Sequence, residues 1–80
     1  MITENKLIKL ITKSLKISSD EVTINSKVNE IEEWDSLGHV TIMFAIDKET
    51  KGKASKIDAL NEAQSVKAIY TLLKKNNLAD

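Results

Sequence analysis

Residues 32–50 read EEWDSLGHVTIMFAIDKET, and the distribution of apolar side chains in that stretch decides the fold. From Ser36 onward, Leu37, Val40, Ile42, Met43, Phe44, Ala45 and Ile46 cover most of the circumference of a helix rather than one stripe. A helix apolar on so many sides is expected in the middle of a bundle. The polar run from Lys48 to Lys56, with Gly52 able to take a positive φ, should end it.

Working outward, Thr3 is a candidate N-cap, with Ile2 and Leu7 placed as a hydrophobic staple. Leu7, Ile8, Ile11 and Leu15 then recur at helical spacing, which predicts a first helix over residues 4–16. Ser18-Ser19-Asp20 breaks that pattern, because short polar side chains compete for backbone hydrogen bonds. Residues 18–35 form a connection longer than the ~12–15 residues usual for structureless loops, so it should be functional or tied down. Val22, Ile24, Val28, Ile31 and Trp34 are spaced to lay it across the bundle; a short helix over residues 24–31 also fits.

Residues 54–60 carry only Ile57 and Leu60, enough for a short third helix, and Asn61 is a candidate cap for the last one. Val66, Ile69, Tyr70 and Leu73 fall at i, i+3, i+4 and i+7, predicting a final amphipathic helix that stops near Asn76-Asn77. The expected architecture is a single all-α domain over residues 1–80. It is a four-helix bundle with three longer helices, one short third helix, and a long loop between helices one and two.

Composition narrows the function. Eighty residues suffice for one small core and leave little room for a deep cleft. No apolar run approaches the roughly 18 residues of a membrane span, and MITENKL lacks the layout of a secretion signal, so a cytoplasmic monomer without a membrane partner is expected. Without cysteine, disulfides and thiolate zinc sites are excluded, and His39, as the lone histidine, makes a poor metal site. A net charge of +0 argues against a nucleic-acid partner. The charge is unevenly spread: residues 20–35 set Asp20, Glu21, Glu30, Glu32, Glu33 and Asp35 against Lys27 alone.

That acidic block runs into Trp34-Asp35-Ser36-Leu37-Gly38-His39, where a serine hydroxyl meets the N-terminus of the most apolar helix. A phosphate ester there would face unpaired N–H groups and the positive end of the helix dipole. In isolation the pair reads more simply as a cap, with Asp35 or Ser36 satisfying the helix start.

In context, Asp35-Ser36-Leu37 followed by an apolar helix resembles the attachment motif of the acyl carrier protein family. The similarity extends along the chain: Val40, Ile42, Met43, Ala45 and Ile46 fit that family's second helix, and Ile57, Val66, Ile69 and Tyr70 its third and fourth. The resemblance implies that a phosphopantetheinyl transferase moves 4′-phosphopantetheine from coenzyme A onto the Ser36 oxygen. Acyl-loading and acyl-receiving enzymes would then use the terminal thiol, the cargo being held as a thioester. It also implies roles in partner recognition for Asp35, beside the attachment serine, and for Leu37, as a partly exposed apolar contact. Trp34 either anchors the loop or joins the docking face. His39 is expected at the surface near the base of the arm, among the residues that meet partners. No catalytic residue is expected in the carrier itself. Contacts through the acidic loop and helix two would be charge-steered, weak and transient.

Two departures from the family pattern point to a specialised pathway. The chain is neutral where carriers of fatty acid synthesis are acidic, and Gly38 and Thr41 occupy positions that are often acidic there. Two rivals remain. In one, the chain is an unmodified helical protein–protein interaction module with Ser36 as a cap. In the other, Ser36 and His39, three residues apart, form a hydrolytic pair, although no oxyanion-hole element or Gly-x-Ser-x-Gly elbow accompanies them.

Overall fold

A computed structural model describes all residues from Met1 to Asp80. The chain is all-α: α1 spans Glu4–Leu15, α2 Ser36–Glu49 and α3 Val66–Lys75, with short 3₁₀ turns in the connections. No helix is long and apolar enough to cross a membrane.

The α1 start follows the sequence signal. Thr3 accepts a hydrogen bond from the Lys6 N–H, and Ile2 and Leu7 are both buried beside it. Lys16 at φ 59° stops the helix, and Leu7, Ile11 and Leu15 face the core. The last helix starts later than Asn61: Ser65 is the cap, its hydroxyl accepting from the Ala68 N–H at 3.0 Å. Val66, Ile69 and Leu73 then bury one stripe.

The long connection between α1 and α2 is tied down. Ser26 and Val28 pair with the chain ahead of α3, the Val28 N–H donating to the Gln64 carbonyl and the Val66 N–H to that of Ser26, at 2.8 and 3.1 Å. Val22 and Trp34 plug the core from this segment, and Ile24, Val28 and Ile31 pack at its margin. Of the helix that fitted residues 24–31, one 3₁₀ turn forms, Val28–Glu30.

Where a short third helix was expected there are two 3₁₀ turns, Ala54–Lys56 and Asp58–Glu62. Two apolar side chains do not supply enough burial to hold an α-helix of this length. The turns are instead held by side chains of α2 and its cap. The buried Thr50 hydroxyl accepts from the Ala54 N–H, and Asp47 accepts from the Ser55 N–H, both at 3.0 Å.

The central placement of α2 requires a correction. Only Ile42 and Ile46 are fully buried, while Leu37 (75% exposed), Val40 and Phe44 (72%) face solvent. The helix packs through one face against α1 and the two 3₁₀ turns that follow it. Met43 packs at the core margin, and Leu37, Val40 and Phe44 line the outside of the bundle, because three helices leave no fourth long element to cover them.

Candidate functional site

Asp35 is the N-cap of α2, its carboxylate accepting from the Gly38 N–H at 2.8 Å. Ser36 therefore occupies the first helical position, where its side chain is exposed and its hydroxyl enters no hydrogen bond within the chain. The N–H groups of Ser36 and Leu37 also find no acceptor in the chain. Two unpaired donors and the helix dipole thus sit beside a free hydroxyl. The exposure matches what the sequence placed there, and the cap is Asp35 rather than Ser36.

The loop reaches this turn through an unusually close approach. A Cβ built on Gly38 would lie 2.4 Å from the Glu33 carbonyl oxygen and 2.8 Å from Leu15 Cδ2. Only glycine lets the backbone of the acidic loop lie against the first turn of α2. No local pattern announces this contact, since a helical glycine signals only low propensity until its neighbours are known.

Trp34 and His39 are joined. Trp34, 1% exposed, donates its Nε1–H to His39 Nδ1 at 2.9 Å, and the two ring planes lie within 13° of each other. The other imidazole nitrogen, Nε2, lies 3.0 Å from the Leu60 carbonyl oxygen. An indole N–H can only donate and a carbonyl can only accept, so Nδ1 carries the lone pair and Nε2 the proton. His39 is half-buried rather than on the surface. Both ring nitrogens are engaged away from Ser36, so the structure does not assemble the serine–histidine pair that their spacing allowed.

Beyond this junction, α2 and the two 3₁₀ turns enclose a groove of about 280 Å³. Val40, Met43 and Phe44 form one wall, Ala54, Ile57 and Leu60 the other, and Asp47, Ser55 and Asn61 the polar rim. Its nearest wall residue, Val40, is one helical turn, about 6 Å of rise, from Ser36. Asn61 also lines a shallow cleft that reaches Asp35, Ser36 and His39. Leu37, Val40 and Phe44 form an uncharged exposed stripe along α2, ending at Asp47 and Lys48. Comparison of the chain with family models, with curated proteins and with solved structures gives no match.

Proposed function

We propose that this chain is an acyl carrier protein, modified on Ser36 with 4′-phosphopantetheine. In that reading it is a four-helix carrier whose short third helix is represented by the turns Ala54–Lys56 and Asp58–Glu62. The observation that carries the proposal is the free, exposed Ser36 hydroxyl at the first position of α2. It is combined with the Asp35-Ser36-Leu37 motif and the resemblance of the surrounding pattern.

The residues present fit the group. Attachment joins the Ser36 oxygen to the pantetheine-bearing phosphorus of coenzyme A. The bond from that phosphorus to the remaining phosphate breaks, the nucleotide bisphosphate leaves, and the serine proton passes to a base on the transferase. The chain therefore needs to present Ser36, not to activate it. The unpaired Ser36 and Leu37 N–H groups favour an anion on that oxygen. When bound, the group supplies a thiol on a long arm, and the groove beside Val40 offers apolar cover for an aliphatic cargo.

The partners are the transferase and the enzymes that load and receive the cargo, met by a cytoplasmic monomer. Asp35 and the exposed Glu32 and Glu33 provide the acidic part of the contact, and Leu37, Val40 and Phe44 an uncharged part. That exposed stripe also favours a second reading, an unmodified interaction module.

Intact-mass measurement after incubation with coenzyme A and a broad-specificity phosphopantetheinyl transferase separates the two. The carrier predicts a mass increment of one phosphopantetheine that disappears in Ser36→Ala. No increment with a transferase that modifies a control carrier supports the module.

A further inference from the structure

The exposed stripe on α2 lies between charges of opposite sign that the chain leaves unpaired. Leu37, Thr41, Phe44 and Lys48 fall at i, i+4, i+7 and i+11 on one helix face, with Val40 one turn ahead of Phe44. Thr41 donates its hydroxyl to the Leu37 carbonyl of its own helix at 3.1 Å, so the stripe makes no polar demand on whatever covers it. Ahead of the stripe stand the exposed Glu32, Glu33 and Asp35; at its far end stand the exposed Lys48, Lys51, Lys53 and Lys56. The carboxylates beside those lysines are engaged elsewhere. Asp47 accepts from the Ser55 N–H, and Glu49 faces Lys6 of α1 in the chain's one ion pair.

We propose that this stripe is a self-complementary docking face, on which a second copy of the chain lies with its α2 antiparallel. A two-fold axis passing between Val40 and Thr41 satisfies the whole face at once. It sets Leu37 of each copy against Phe44 of the other, and Val40 against Thr41, at the roughly 8–10 Å separation of packed helices. The same axis brings the acidic loop of each copy, at Glu33, to Lys48 of the other, so both charged ends find their opposites. A parallel arrangement would instead set acids on acids and lysines on lysines. With a net charge of +0, no overall repulsion between copies opposes the contact.

The size of the face sets its strength. From Leu37 to Lys48 it runs about 16 Å along one side of α2, and such a strip buries less than the ~1,200–2,000 Å² of a stable interface. The pair is therefore weak, with a dissociation constant of about 0.1–1 mM, and the single chain is the species that enzymes meet in dilute solution. On the carrier reading, pairing covers Leu37 beside Ser36 and competes with the transferase. That consequence rests on the carrier reading; the pairing itself rests on the stripe and its two charged ends.

Sedimentation equilibrium of the full 80-residue chain at low salt, without coenzyme A, tests the pairing. Between about 20 μM and 2 mM the mean mass should rise from that of one chain towards that of two. Amide resonances of Glu32, Glu33 and residues 37–48 should shift on dilution, while those of α3 stay in place. Leu37→Ser and Phe44→Ser should each raise the dissociation constant at least about tenfold without changing the circular dichroism spectrum. Glu33→Lys or Lys48→Glu alone should weaken pairing about threefold or more, and the two together should restore it to within about twofold of the parent. A chain that stays monomeric to about 2 mM would overturn the pair and assign the stripe to other proteins alone. Pairing indifferent to Phe44→Ser, or a combined variant no stronger than the single reversals, would overturn the antiparallel arrangement. None of these results touches the mass experiment with Ser36→Ala, so failure of the pair and failure of the carrier reading are told apart.

Discussion

At position 38 the space between Glu33 and Leu15 admits a hydrogen and nothing larger. Alanine is the better helix former by about 1 kcal/mol, yet Gly38→Ala should destabilise the protein, because a methyl group there meets a backbone oxygen that cannot rotate away. The expected net loss is about 1–3 kcal/mol in urea unfolding, and an unchanged or raised midpoint would contradict the close approach. The sequence drew notice to Gly38 only as a residue where an acid is common in the resembling family. The reason for the glycine is a tertiary contact, invisible to local pattern. Ser36 and Asp35 were more legible, since an exposed hydroxyl behind a capping carboxylate follows from where the loop ends and the helix begins. The Trp34–His39 pair lay in plain view as residue types but not as partners. They are five residues apart across a loop–helix junction, and the second acceptor is a backbone carbonyl 21 residues away.

At the scale of elements, α2 shows how far composition and periodicity can diverge from burial. Counting apolar residues placed it in the middle of the bundle; the structure buries Ile42 and Ile46 and leaves Leu37, Val40 and Phe44 outside. The two faces should respond oppositely to truncation. Ile42→Ala should cost about 2–5 kcal/mol of stability, whereas Phe44→Ser should stay within about 0.5 kcal/mol of the parent. If the exposed stripe meets partners, Phe44→Ser should raise the transferase KM by about tenfold, equivalent to about 1.4 kcal/mol of binding. A large stability loss in Phe44→Ser, or an unchanged KM, would remove the stripe from recognition. The pattern over residues 54–60 predicts a short or marginal helix, and its two apolar side chains explain why only 3₁₀ turns form. The tethers from Thr50 and Asp47 that hold the Ala54–Lys56 turn have no local signal, because a polar side chain's backbone partner is fixed only once the chain has folded.

Across the whole molecule, packing and backbone pairing hold the structure, since the one ion pair, Lys6–Glu49 at 3.7 Å, is exposed at both ends. The bridges from Ser26 and Val28 to the start of α3 fix the acidic loop, and the Asp35 cap and the Gly38 approach then fix where Ser36 emerges. The all-α class was readable, α1 and α3 from periodic spacing and α2 from its dense apolar run. How the long connection is pinned was not, because backbone pairing leaves no side-chain signature. The seven serines of the chain give the central claim its most direct test: proteolytic mapping by tandem mass spectrometry after treatment with coenzyme A and transferase. The account predicts a pantetheine-bearing phosphodiester on Ser36 alone; the same group on Ser26, Ser55 or Ser65, or on no serine while a control carrier is fully converted, would contradict it.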